Sequence, residues 1–127
     1  MNILDIGVDI IEIDRVKRLI EKDSRFLDKI FTESEKEYFR ERKNRPETIA
    51  GNFCAKEAIS KALGTGIRGF NFKDIEIIRD ELGKPIVKTY NNLERICIDY
   101  NVSRILVSIS HCKEYAVANA MIMIKEW

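Results

Sequence analysis

The run from Pro46 to about Leu63 reads as one long helix. A proline suits its first turn, and Gly64 suits a left-handed cap at its end. Near the other end of the chain, Tyr115 to Ile124 alternates as a strand and carries Ala116, Ala118 and Ala120 on one face. Small side chains on a strand face let another element come close, and the long helix is the element that needs such a seat. That pairing commits the chain to a sheet with helices laid against it.

The rest of the pattern fills in this frame. Residues 3–13 read as a strand, with Leu4, Ile6, Val8 and Ile10 on one face and Asp5, Gly7 and Asp9 on the other. Ile11 and Ile13 then shift the phase, which calls for a bulge or strand end near Ile10. Asp14 is in position to cap the next helix. Residues 15–30 carry a helical stripe of Val16, Leu19, Ile20, Phe26, Leu27 and Ile30, which Asp23-Ser24 can split in two. Thr32-Glu33-Ser34-Glu35 has capping-box chemistry and opens a helix to about Arg42. Phe72 to Arg79 alternates as a strand, a turn follows over residues 80–85, and Pro85 to Lys88 is a second strand. Tyr90 to Tyr100 is helical, and Ser103 to Ser110 is a strand that leads through a short turn at His111-Cys112-Lys113 into the last one. The expectation is one α+β domain over residues 1–127, with mostly antiparallel strands and helices on one side.

Composition narrows the function classes. A net charge of +1 over 127 residues speaks against a nucleic-acid partner held by bulk charge. Three cysteines without a Cys-x-x-Cys, and a single histidine, speak against zinc and for reduced thiols. The longest uncharged apolar-rich run, Ala116 to Ile124, is far short of the roughly 20 residues that cross a bilayer. No basic and apolar leader pattern opens the chain. The reading is a soluble, cytoplasmic protein with no membrane partner.

Four segments carry possible chemistry, and each has a plainer alternative. Phe53, Glu57, Lys61 and Gly64 share one helical face by their spacing. The plain alternative is a Glu57–Lys61 surface pair worth a few tenths of a kcal/mol, roughly, followed by a glycine cap. The glycines lie after the helix, at the negative end of its dipole, so this is not the phosphate loop that precedes a helix. An anion here needs Lys61 or a metal ion. In Gly7-Val8-Asp9, a strand glycine signals close backbone approach and a strand Asp can ligate a hard cation; alternatively that face is simply solvated.

Residues 15–45 hold eleven basic and seven acidic side chains, a surplus of +4. Arg15, Arg18, Lys22, Arg25 and Lys29 recur at helical spacing. On a continuous helix they form a basic stripe that steers an acidic partner, or else a solvated face. Finally, Ser108-Ile109-Ser110-His111 cannot pair a serine with its neighbouring histidine, because adjacent strand residues point to opposite faces. His111 at a strand end can instead donate to a phosphate.

Taken together, these segments resemble the holo-acyl-carrier-protein synthase family, the small type of 4′-phosphopantetheinyl transferases. The resemblance rests on Gly7-Val8-Asp9 with Arg15, on Phe53-Cys54-Ala55-Lys56-Glu57-Ala58 with Lys61-Ala62, and on Phe72-Lys73-Asp74-Ile75-Glu76. Gly83-Lys84-Pro85 and Ser108-Ile109-Ser110-His111 with Ala116 and Ala118 complete it, in order along nearly the whole chain. It implies an α+β domain that assembles as a homotrimer with active sites at subunit interfaces. It implies transfer of the phosphopantetheine arm of coenzyme A to a serine of apo acyl carrier protein, with adenosine 3′,5′-bisphosphate as the product and fatty-acid biosynthesis as the default setting. By the same match, Asp9 and Glu57 correspond to Mg²⁺ ligands and Lys61 to the lysine at the coenzyme A pyrophosphate. Phe53, the Gly64-Thr65-Gly66 loop, Lys84, Pro85 and His111 line the coenzyme A site. Arg15, Lys22, Arg25, Phe26 and Lys29 would receive the carrier protein. One departure stands out: members often have Arg before the central Phe, and this chain has Asn52. That coenzyme A phosphate contact is then lost or passes to another base, such as Arg45. The rival readings are a non-catalytic coenzyme A- or carrier-protein-binding module and a small structural trimer.

Overall fold

The computed structural model describes residues 2–64 and 68–125. Strand β1 (Asn2–Glu12) leads into helices α1 (Ile13–Lys22), α2 (Phe26–Ile30), α3 (Glu33–Glu41) and α4 (Pro46–Ala62). A 3₁₀ turn at Phe72–Asp74 precedes β2 (Ile75–Arg79) and β3 (Pro85–Thr89), and α5 (Asn91–Asp99), β4 (Val102–His111) and β5 (Tyr115–Ile124) follow. Every strand pairing is antiparallel. One sheet has the order β1-β5-β4 and the other is the β2-β3 hairpin. The α+β expectation therefore holds.

Helix α4 lies across one face of the three-stranded sheet, on Ala116, Ala118 and Ala120 as their size suggested; all three are buried, as are Ala50, Cys54, Ala55, Ala58, Ile59 and Ala62 of the helix. Two glycines set how close the layers come. A Cβ on Gly7 would lie 2.2 Å from the Ala58 carbonyl oxygen and 2.8 Å from the Ala62 nitrogen, so β1 touches the α4 backbone there. A Cβ on Gly51 would lie 2.7 Å from Ile109 Cγ2. The register puts Asp9, Ala118 and Ile109 in one row across the sheet.

Strand β1 corrects the sequence reading in two ways. The register irregularity falls between Ile3 and Asp5, not near Ile10. Ile13 is apolar because it opens α1, buried, with its N–H donated to the Glu114 carbonyl at 2.9 Å. The helix thus starts one residue before Asp14, which is not its cap; Glu12 holds that position without a side-chain bond. The plain alternative for Asp9 also fails. The Gly7–Asp9 side faces α4, while Ile6, Val8 and Ile10 are 65%, 54% and 63% exposed.

The local signals for the helices are largely realised. Thr32 and Glu35 form a reciprocal capping box at α3. Gly64 has φ +78° after α4. The segment over residues 15–30 is split: α1 ends at Lys22, and Asp23 accepts the Arg25 N–H at 2.9 Å before α2 begins. The continuous basic stripe therefore does not form. Phe72–Asp74 turns rather than extends, because the Asp74 side chain accepts the Asn71 N–H at 3.0 Å in a capping box of its own.

Candidate functional site

The close seat at Gly7 brings the next inward-facing residue of β1, Asp9, against α4. The Lys61 ammonium donates to Asp9 Oδ1 at 2.9 Å and to the Val8 carbonyl at 3.2 Å. The buried Cys54 thiol reaches Asp9 Oδ2 and the Ala116 carbonyl, both at 3.5 Å. Among the described residues Lys61 therefore pairs with Asp9 and not with Glu57, contrary to the surface pair that spacing alone suggests.

Glu57, half-buried one helical turn before Lys61, feels this cluster. Burial pushes its carboxyl pKa up, the Asp9 carboxylate adds to that, and Lys61 pulls it back. The hydrogen bond to Asp9 raises the Lys61 ammonium above its ordinary value. Burial first, and then Asp9, pushes the Cys54 thiol to about 12. It is an unreactive neutral neighbour.

Two carboxylates from β1 and α4 converge beside one ammonium. No group of three or more His, Cys, Asp or Glu side chains is gathered for a metal among the described residues. A pair of carboxylates fits a hard cation that fills its remaining positions with water and substrate oxygens, the habit of Mg²⁺. It does not fit a structural zinc site, which needs four protein ligands.

A second feature lies on the same face of the sheet, at its β4 edge. Arg42, Arg45, Arg79 and His111 line a pocket of about 350 Å³, with Asn52 and Pro85 in its wall. By the row Asp9–Ala118–Ile109, two strand spacings separate β1 from the Ile109 wall of this pocket, roughly 10 Å. Arg45, Pro85 and His111, named from the sequence, meet here. Lys84 opens instead on a neighbouring apolar pocket with Ile6, Leu106 and Met121.

Phe53 is half-buried, its ring 5.9 Å from Phe26 and 5.7 Å from Phe72. Phe26 is thus partly occupied by packing. Gly64 is exposed at the end of α4, and Thr65 and Gly66 lie outside the described residues. Arg15, Lys22, Arg25 and Lys29 are exposed; Arg25 and Lys29 lean on Asp23 at 3.8 and 3.4 Å. The sequence reading did not single out Cys54 as a neighbour of Asp9, nor Tyr38, Arg42 and Arg79 as pocket residues. No periodicity marks them, because the pocket is assembled from α3, α4, β2 and β4.

The family described as the 4′-phosphopantetheinyl transferase superfamily matches residues 5–120 of the chain. A holo-[acyl-carrier-protein] synthase of Alkaliphilus oremlandii is 53% identical over 116 residues, which is 91% of this chain and 95% of that protein. The crystal structure of holo-[acyl-carrier-protein] synthase from Neisseria meningitidis superposes with TM-score 0.90 at 34% identity, over 96% of this chain and 99% of that one. A holo-(acyl-carrier-protein) synthase from Bacillus anthracis, solved in complex with CoA (3′,5′-ADP), superposes with TM-score 0.81 at 39% identity, over 97% and 98%.

Proposed function

The chain belongs to the holo-acyl-carrier-protein synthases of the 4′-phosphopantetheinyl transferase superfamily, and on that premise we propose how it works. It transfers phosphopantetheine from coenzyme A to a serine of apo acyl carrier protein, with Mg²⁺, and releases adenosine 3′,5′-bisphosphate. The observation that carries this reading is the convergence of Asp9, Glu57 and Lys61 where Gly7 lets β1 touch α4.

Asp9 and Glu57 would hold the Mg²⁺, which when bound draws charge from the pyrophosphate. Lys61 stays charged at neutral pH, since Asp9 raises its pKa, and offsets the charge that builds on the leaving phosphate. The carrier serine attacks in line, and its proton needs an acceptor. Glu57, or a water held beside it, is the candidate acceptor. Phe53, Gly64, Lys84, Pro85, His111 and Arg45 would line the donor's path. Arg15, Lys22, Arg25 and Lys29, with Phe26 between them, receive the acidic carrier on two short helices rather than one stripe.

The uncovered apolar side of the sheet supports a homotrimer. Ile6, Val8 and Ile10 are more than half exposed in a single chain, beside Leu106 and Met121. A contiguous patch of that kind favours a partner surface. Residues 1–127 act as one domain in this reading, in the cytoplasm and in fatty-acid biosynthesis. No helix among the described residues is long and apolar enough to cross a membrane.

Mass spectrometry of apo acyl carrier protein mixed with this protein, coenzyme A and Mg²⁺ tests the reaction. The carrier should gain one phosphopantetheine on a serine, and Asp9→Ala should slow the gain at least about a hundredfold, as expected for removing a group that stabilises charge. No gain, or a gain unaffected by chelating Mg²⁺, would sink the reading.

A further inference from the structure

The two oxygens of Asp9 are held by donors of unequal permanence. Lys61 donates to Oδ1 at 2.9 Å from a side chain that is 53% exposed. The Cys54 thiol reaches Oδ2 at 3.5 Å from a residue sealed from solvent. These are the side chains that donate to Asp9 among the described residues. Both stand on α4, Cys54 two turns before Lys61.

The ammonium is the donor that can leave. A divalent cation on Oδ1 would repel it, and the leaving phosphate would offer it another oxygen. Its flexible four-carbon stem lets it follow. Cys54 has no such freedom. Its short side chain sits in the core with Ala55, Ala58, Ala116 and Ala118, all fully buried. The thiol has a single hydrogen and two acceptors in reach, Asp9 Oδ2 and the Ala116 carbonyl, both at 3.5 Å. A charged acceptor draws a hydrogen more strongly than a neutral one, so the carboxylate is favoured. A cysteine that served only as a small apolar filler would need no acceptor. This one lies against the carboxylate on which the site depends.

We infer that Cys54 is a positioning residue for the transfer reaction: its thiol fixes the Asp9 carboxylate through Oδ2 and keeps Oδ1 free for the cation when Lys61 turns to the donor's phosphate. This rests on the proposed reaction and its Mg²⁺. Hydrogen bonds behind a metal-binding carboxylate set its orientation, and losing one costs about 10- to 100-fold in metal affinity. A thiol is a weak donor, which places Cys54 at the lower end.

The test measures how far Mg²⁺ strengthens coenzyme A binding, by calorimetry without carrier protein, so that nothing turns over. The wild type should bind coenzyme A more tightly with Mg²⁺ than in EDTA. Cys54→Ala should lower the Mg²⁺ affinity of the coenzyme A complex about tenfold, and change binding in EDTA by less than about threefold. Cys54→Ser keeps a hydrogen donor and should recover part of the loss. Serine and alanine both remove the sulfur, so the difference between them reports the donor even if both variants melt at lower temperature. In the transfer assay, Cys54→Ala should need about tenfold more Mg²⁺ for half-maximal rate, with a smaller change in kcat at saturating Mg²⁺. Equal Mg²⁺ affinity in wild type and Cys54→Ala, equal losses with Mg²⁺ and in EDTA, or a serine no better than alanine would overturn the inference and leave the transfer reaction standing. A wild type whose coenzyme A binding ignores Mg²⁺ would remove the metal reading itself, and the inference with it.

Discussion

Helix α4 bears two lysines five residues apart, each bonded to a carboxylate, and the two pairs live in opposite surroundings. Lys56 and Glu35 are 2.7 Å apart with side chains 0% and 1% exposed. The Lys56 ammonium also donates to the Ile30 and Phe72 carbonyls at 2.8 and 3.1 Å, so each of its three hydrogens has an acceptor. Glu35 accepts in turn from the Thr32 and Ile77 amides. Burial pulls the Lys56 pKa down and Glu35 pushes it back up. Lys61 and Asp9 are 2.9 Å apart but 53% and 18% exposed, within reach of water and of a ligand's oxygens. The first pair ties α4 to the end of α2, to α3 and to the turn before β2. The second can trade partners. A lysine–carboxylate bond is thus a fastener or a working group according to whether solvent reaches it.

Breaking the buried pair should have the largest effect on the fold. Lys56→Ala leaves Glu35 as an unpaired buried charge and should cost about 3–5 kcal/mol in denaturant unfolding. Lys56→Met with Glu35→Gln should recover part of that loss. A cost below about 1 kcal/mol for the single change would erase the contrast between the pairs.

Gly7→Ala comes next and probes what the working pair depends on. Its Cβ would meet α4 backbone, not a flexible side chain, so β1 must shift. Overpacking of this sort costs about 1–3 kcal/mol. Because Asp9 moves with the strand, phosphopantetheine transfer should fall more steeply than stability does. A stable, fully active Gly7→Ala protein would mean the close seat does not set the site.

The smallest stability effect is expected at the exposed pair. Lys61→Gln should change unfolding free energy by at most about 1 kcal/mol, while slowing transfer in the mass-spectrometric assay. A large loss of stability would show that Lys61, too, is a fastener.

Several elements were readable from local chemistry. The Thr32–Glu35 box, Pro46 at the start of α4, Gly64 at its end and the alanines of β5 each satisfy a requirement within a few residues, and each behaves as its pattern indicates. Asp9, Glu57 and Lys61 could be named, but spacing alone favoured a Glu57–Lys61 pair, since helix neighbours are all a single segment can reveal. The partner of Lys61 comes from 52 residues away.

Alternation along β1 told which residues share a face and nothing about which face is covered. The apolar set lies open and the Gly7–Asp9 set carries the helix, because only the flat surface at glycine admits α4 so closely. The basic pocket was less legible still. Tyr38 and Arg42 lie one turn apart at the end of α3, but Arg79 and His111 come from β2 and β4, and no short-range pattern links the three elements.

Residue identity therefore settled the elements, their ends and the cast of charged groups, since propensity, capping and periodicity act over a turn or a strand. Folding in three dimensions decided which of two similar lysines is sealed and which is open, and which side of β1 meets the helix. It also decided that Arg79, in the wall of the basic pocket, keeps a buried Nη1 without an acceptor among the described residues. Burial and charge pairing depend on what arrives from distant parts of the chain.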